Sequence, residues 1–310
     1  MGVRNLLKIH KGNFPTVSLK DLTGRIAIDA SVYLYRFKYA DNSFLSSFLV
    51  MITNFLRHDL LPLFIFDVVP HPLKLDEIIR RNERVAKNIE KYNETKDEKL
   101  KKNIIIVTHE DRLRLKQLLN HIYIPYYDAP IETEAEAYCA YLNSSGIVDH
   151  VLSEDSDCIP YGAISWLKNY NNSGTVMQID CQLFAQNLGF TKEDMIDYCI
   201  MLGTDYNDSI FTVSYCHRYF QDYKKKLPAV LPRYDIIKRI FTNAQEPELP
   251  LENLKIPFDV FIRKVGRFDH AALYSFCQNH GISDIKYNNL INVFQIKLNF
   301  ELKDTTLGGV

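Results

Sequence analysis

Glu134 and Glu136 stand two apart at the head of a helix-like segment, and Asp155 and Asp157 stand two apart directly after a short apolar run. Both pairs fall within the stretch APIETEAEAYCAYLNSSGIVDHVLSEDSD. A solvated helix face mixes its acids with lysines at spacings of three or four, whereas almost no basic residue lies near these pairs. Two carboxylates ~4 Å apart repel by roughly 4 kcal/mol at an effective dielectric near 20, so a cluster of several calls for a cation. Hard oxygen ligands in number, with no His or Cys in the pattern, suit Mg²⁺ or Mn²⁺ rather than zinc. Any one of these acids alone reads more readily as a surface or capping residue. Position argues otherwise. Residues 147–152 read as a buried strand that ends just before Asp155, and open α/β sheets gather ligands at the carboxyl ends of their strands.

The same signature recurs along the chain. RIAIDA reads as a strand ending on Asp29, and LPLFIFD as another ending on Asp67. Between them, apolar residues at 44, 45, 48, 49, 52, 55 and 56 repeat with helical period, which predicts a core-facing helix over 43–57. Strand, helix and strand in that order make a βαβ unit of a parallel sheet, so the expected class is α/β. HIYIPYYDAP predicts a further strand leading into Glu134 and Glu136. AISWLKN and TVMQID predict a hairpin around residues 171–174, and DMIDYCIMLGTDY a helix ending near Gly203 with Asp205 in the turn beyond. Beyond residue 210 the chain reads as helical and aromatic-rich, broken by Pro228 and Pro232.

Residues 70–117 differ in texture. From Lys74 to Lys102 there are ten Lys or Arg against seven Asp or Glu, with few large apolar residues. On a helix, Lys74, Arg81 and Arg84 share one face. Such a segment is either a solvated helical hairpin or a basic arch over the carboxylates that attracts phosphate.

At 310 residues the chain can form one large or two modest domains. A net charge of -1 neither advertises nor excludes a nucleic-acid partner, so segregation of charge matters more. The six cysteines form no CxxC pair, which argues against zinc and a disulfide framework and for a reducing, intracellular compartment. No signal-peptide core is expected at the N-terminus. The apolar region 44–56 is too short and too interrupted by Ser46, Ser47, Thr53 and Asn54 to span a membrane.

Collected in order, the acids are Asp29, Asp67, Glu134, Glu136, Asp155, Asp157 and Asp205. With MGVRNLL, IAIDAS, FIFD, YYDAPIETEAEA, SEDSD and LGTDY, they resemble the successive motifs of the structure-specific 5′ nucleases of the flap endonuclease/XPG superfamily. The resemblance covers nearly the whole chain. It implies a mostly parallel, PIN-like nuclease core over 1–208, flanked by helices and including a helical arch at 70–117. A helical region at 209–310 would bind duplex. It implies that the seven acids hold two Mg²⁺ ions, for which Mn²⁺ can substitute, with Asp29, Asp67, Glu136 and Asp155 at the centre of catalysis. Two metals ~4 Å apart can activate water and stabilise both the attacking and leaving oxygens of a phosphodiester. The resemblance further implies that Lys74 and Arg81 contact the scissile phosphate, with Arg84 beyond them on the arch. Tyr35 stacks a base or, alternatively, packs in the core, and Gly2 lies beside the site. The implied activity is 5′-flap endonuclease cleavage of branched DNA, with 5′–3′ exonuclease activity, in replication, repair and recombination. The alternatives are an RNA-degrading relative and a non-catalytic nucleic-acid-binding scaffold. The short interval between Asp67 and Glu134 resembles flap endonucleases rather than XPG itself.

Three departures stand out. FTVSYCHRYF occupies the place of the family's Gly-rich GIGP turn, which binds potassium and the duplex backbone, leaving Arg218 and residues 224–226 as alternative phosphate contacts or plain surface. Val68 and Val69 replace a Gly-Lys pair. Residues 295–302 lack the paired aromatics of a sliding-clamp peptide, so clamp binding is not expected, and a monomer acting in the nucleus or at a cytoplasmic replication site is.

Overall fold

The computed structural model describes residues 2–9, 14–40, 43–101, 104–209, 211–242, 260–262 and 268–307. Seven strands, β1 (Thr16–Ser18), β2 (Gly24–Asp29), β3 (Leu60–Phe66), β4 (Tyr126–Asp128), β5 (His150–Leu152), β6 (Ser165–Asn171) and β7 (Thr175–Asp180), form one sheet in the order β1-β7-β6-β5-β2-β3-β4. β2 runs parallel to β3 and β5, β3 to β4, and β5 to β6, while β7 pairs antiparallel with β6 and β1. The class is therefore the expected α/β, with a mostly parallel central sheet flanked by helices. All seven residues of β3 are buried, as a central parallel strand requires. Its Pro62 has no N–H to donate, and it is tolerated because β4 pairs only with Phe64, Ile65 and Phe66 and does not reach it.

The helices are α1 (Leu6–Ile9), α2 (Ala30–Ala40), α3 (Phe44–Arg57), α4 (Leu75–Thr95), α5 (Glu98–Lys101), α6 (His109–His121) and α7 (Ala135–Ser144), then α8 (Cys181–Asn187), α9 (Lys192–Leu202), α10 (Val213–Tyr223), α11 (Leu227–Val230), α12 (Tyr234–Thr242), α13 (His270–Asn279) and α14 (Asp284–Leu307). Side chains alternate across the sheet, so Ile26 and Ile28 of β2 enter one apolar cluster and Ala27 the other. α3 fills the first cluster with the periodicity read from its sequence. Phe48 and Phe55 are fully buried, each worth roughly 1.5–3 kcal/mol by area alone. α14 packs across α3, where Lys286 Nζ donates to Ser46 Oγ at 2.6 Å. Leu290 and Phe294 of α14 join the same cluster, whereas Phe220, Ile237 and Phe241 of α10 and α12 join the other. The chain beyond residue 209 thus contributes to both faces.

Two expectations need adjustment. The strand expected over HIYIPYYD is confined to β4, because α6 continues to His121 and Tyr123 turns the chain at φ 52°. Within 70–117, α4 has no buried residue, but α6 buries Leu115, Leu118 and Leu119 in the first cluster. The part that stands off the body is therefore α4 and α5.

Candidate functional site

The acids emerge where the topology requires. Asp29 ends β2, Asp67 follows β3, and the loop 153–157 follows β5, so three adjacent parallel strands deliver carboxylates to one end of the sheet. Glu134 is the N-cap of α7 and Glu136 lies in its first turn. Ala135 N–H at that helix start donates to Asp67 Oδ1 at 2.7 Å, a favourable use of an unpaired amide. α9 ends at Gly203, whose φ of 93° and close approach to Ser209 exclude a side chain, and the turn beyond presents Asp205.

Asp67, Glu134 and Glu136 each offer an oxygen within 4.8 Å of the others, and so do Glu136, Asp155 and Asp157, so that Glu136 belongs to both groups. Asp29 and Asp205 lie outside these groupings. Asp29 accepts from Val32 N–H at 3.1 Å and Ser153 Oγ at 2.9 Å. Asp205 faces Arg81 at 2.6 Å and Lys74 at 3.3 Å.

The electrostatics are those of concentrated negative charge taken out of water. Burial, then Asp67, pushes the Asp29 carboxyl up to about 8. Burial likewise raises Asp155, and it holds Glu136 and Asp157 well above the ordinary carboxylate range. Asp205 alone moves down; burial opposes that shift, and Lys74 and Arg81 outweigh it. Both oxygens of Asp157 are buried and lack a hydrogen-bond partner among the described residues. An unpartnered buried carboxylate is costly, and hard oxygen donors grouped around it fit a divalent cation.

Lys74 is buried, with its Nζ 2.8 Å from Glu134 and 3.6 Å from Glu136. Arg81, one-third exposed, bridges Asp205 and Glu77. Arg84 is exposed, with no ion pair among the described residues. Tyr35 is 47% exposed on α2, directly after Asp29, which removes the core-packed alternative. At Gly2, with φ 80°, an added Cβ would lie 1.9 Å from Asp155 Oδ1 and 2.8 Å from Asp157 Oδ1. Of the other basic residues, Arg218 is exposed and Lys224 is taken up by Asp194 at 2.9 Å.

Some contributors were not anticipated. Ser153 donates to Asp29 and accepts from Asp155 N–H, coupling two strand ends; its place immediately after the strand was the available signal. Asp208 binds Arg4 at 2.5 Å and Arg80 at 3.2 Å, joining the N-terminal segment to α4. No sequence spacing points to it.

A parallel sheet with converging acids at its carboxyl edge defines the class as a carboxylate-centred α/β fold. The XPG N-terminal domain model matches residues 1–88 and the XPG I-region model residues 123–205, together more than half of the chain. Flap endonuclease 1 of Ovis aries is 31% identical over 240 residues, 68% of this chain and 63% of the relative's own length. Among solved structures, the catalytic core of Rad2 in complex with DNA substrate superposes with a TM-score of 0.64 at 24% identity, covering 93% of this chain and 100% of that one. The Holliday junction-resolving enzyme GEN1 in complex with product DNA and Mg²⁺ gives 0.66 at 21%, covering 96% and 78%. The chain belongs to the XPG/flap endonuclease superfamily.

Proposed function

We propose that this chain is a divalent-metal-dependent 5′ nuclease that hydrolyses phosphodiester bonds in branched DNA, cutting near the junction of duplex and single strand. One observation carries the proposal: two groups of three carboxylates share Glu136, and the cationic side chains of Lys74 and Arg81 stand at their edge. Asp67, Glu134 and Glu136 would hold one Mg²⁺, and Glu136, Asp155 and Asp157 a second, with Asp29 and Asp205 completing the negative shell. Bound ions of this kind supply Lewis-acid activation of water and stabilise the oxygens of an in-line displacement.

The chain's own residues do the rest. Ser153 and Val32 N–H orient Asp29, and Ala135 N–H orients Asp67. Lys74 and Arg81 offset negative charge at the phosphate. Tyr35 offers an exposed ring for a base, and Arg84 a guanidinium for the backbone. In this reading residues 1–208 are the nuclease core, α4 and α5 form the arch, and 209–310 bind duplex. The DNA complexes of the Rad2 and GEN1 neighbours, and the Mg²⁺ of the latter, support DNA as partner and magnesium as cofactor. All six cysteines are free and buried, which supports a reducing compartment. No helix among the described residues is long and apolar enough to cross a membrane.

The test is a labelled 5′-flap duplex incubated with Mg²⁺, beside single-stranded RNA at equal concentration. We expect cleavage of the flap DNA near the junction, faster than that of RNA, and its loss with chelator or in Asp155→Ala. No cleavage, or cleavage indifferent to both, would refute the proposal.

A further inference from the structure

Beside the acids, on the far side of Glu134, lies a cavity of about 250 Å³ that plays no part in the chemistry above. Tyr138 and Tyr141 from α7 and Tyr161 from the loop after residue 158 form its aromatic side, Ile236 and Ile240 of α12 its aliphatic side, with His71 at the base of the arch and Arg239 from α12. The rings of Tyr138 and Tyr141 are parallel to within 3°, their centroids 6.5 Å apart. Tyr161 is anchored by its hydroxyl to Tyr206 at 2.6 Å, so that wall is fixed.

Two properties of the lining point to one class of occupant. Arg239 is exposed and makes no ion pair among the described residues, and a free guanidinium at the rim of an aromatic pocket suits an attached phosphate. The backbone of Glu132, also in the wall, is held at φ 64°; non-glycine residues rarely adopt that region, and it is met more often at functional sites. The volume lies below the roughly 300–1,000 Å³ of pockets for drug-sized ligands, which admits a single planar ring system and excludes duplex.

We infer that this cavity receives one unpaired nucleobase of the strand being cut, stacked on Tyr141, with an adjoining phosphate on Arg239. Placement selects the strand. Glu134 lines the cavity and at the same time accepts from Lys74 within the carboxylate cluster, so the occupant lies next to the phosphate at the acids. The site is separate from Tyr35, which lies on α2 after β2. A base held in the cavity would be lost to its partner strand, so the pocket would disfavour substrates that stay paired, since unstacking is least costly where no partner strand competes. The inference rests on the nuclease reading above.

The test uses the full chain and a 5′-flap duplex carrying 2-aminopurine at successive positions around the junction, bound in Ca²⁺ so that binding is read without relying on turnover. Cleavage of the same duplex in Mg²⁺ is followed in parallel. We expect one position whose fluorescence changes on binding to the wild type and not to Tyr141→Ala. Tyr141→Ala and Arg239→Ala should each raise Kd roughly fivefold or more, the low end of what a base–aromatic stack contributes, while Tyr141→Phe stays near wild type. An abasic nucleotide at that position should erase the difference between wild type and Tyr141→Ala. If Tyr141→Ala does not fold, the exposed Arg239→Ala must still show the loss. Kd values within twofold of wild type in both variants, or no fluorescence change that depends on Tyr141, overturn the inference while cleavage in Mg²⁺ leaves the nuclease reading standing. A chain that neither binds nor cuts the duplex removes both.

Discussion

Lys74 Nζ lies 2.8 Å from Glu134 Oε2, and the same ammonium reaches Asp205 at 3.3 Å and Glu136 at 3.6 Å. One buried cation is thus shared by acids from two separate elements. Burial opposes its charge, yet Glu136 and Glu134 hold its pKa well above the ordinary lysine value, so it stays protonated. Removing it leaves those acids less compensated. Lys74→Ala should therefore have a lower melting temperature in chelator, largely restored by Mg²⁺, and should cut a 5′-flap duplex roughly 10²–10³-fold more slowly, the cost of losing one preorganised charge at a transition state. Cleavage within threefold of wild type would remove Lys74 from the mechanism.

Gly2 supplies an independent check on the packing of the site. An added Cβ would overlap Asp155 Oδ1 at 1.9 Å and press on Asp157 N at 2.7 Å, at a φ of 80° that suits glycine. Neither neighbour can yield without moving the loop that carries both acids, because Asp157 N–H donates to Asp155 Oδ1 at 3.0 Å. Gly2→Ala should lose at least about tenfold in cleavage rate, since even a 1 Å displacement of a reacting group can cost ~10²-fold. Unchanged kinetics would show that the N-terminal segment does not constrain these carboxylates.

Metal removal should couple stability to pH in a defined direction. Asp29 is raised to about 8, and Glu136 and Asp157 are raised well above the ordinary range, chiefly by burial. Between the usual carboxylate range, around 4, and the raised values, the folded protein retains protons that the unfolded chain has released. Metal-free stability should therefore fall as pH rises through that window, and Mg²⁺, which needs the ionised carboxylates, should raise the melting temperature more at about pH 8 than at about pH 6. Thermal unfolding with and without chelator measures this. A Mg²⁺ shift that is constant across the range would contradict the shared cluster.

Asp29, Asp67 and Asp155 could be found in the sequence because a carboxylate at a strand end leaves a local mark: an apolar run, then an acid. That mark did not depend on knowing which strands pair. It did not separate Asp155 from its neighbour Glu154, which stands nearer the run; the fold does, turning Glu154 away to Tyr33 at 3.1 Å and Asn169 N–H at 2.9 Å. α2 left no such mark, because ASVYLYRFKYA places aromatic residues at alternate positions 33, 35, 37 and 39, a pattern that favours a strand. Burial of Tyr33, Leu34 and Phe37 in the first cluster overrides that preference. The aromatic cavity was invisible for a different reason: it joins His71, Tyr141, Tyr161 and Arg239, which only the folded chain brings together.

The segment at 211–220 bears on how duplex is held. Where the family resemblance implies a Gly-rich turn, this chain begins α10 at Val213 and packs Phe211, Tyr215 and Tyr219 into a group of rings with centroids 4.7–5.5 Å apart. Side chains cover backbone that glycine would expose, and the Thr212 N-cap makes no side-chain hydrogen bond to order the first turn as an ion cradle. Cleavage should accordingly respond to K⁺ no more than to Na⁺ at equal ionic strength, within about twofold, and should depend little on lengthening the duplex on that side. Salt should still slow binding, because the backbone contact proposed for Arg84 would release counterions. A strong requirement for K⁺ over Na⁺ would mean that the ring cluster opens to form the missing turn, and Tyr215→Gly should then raise activity rather than lower it.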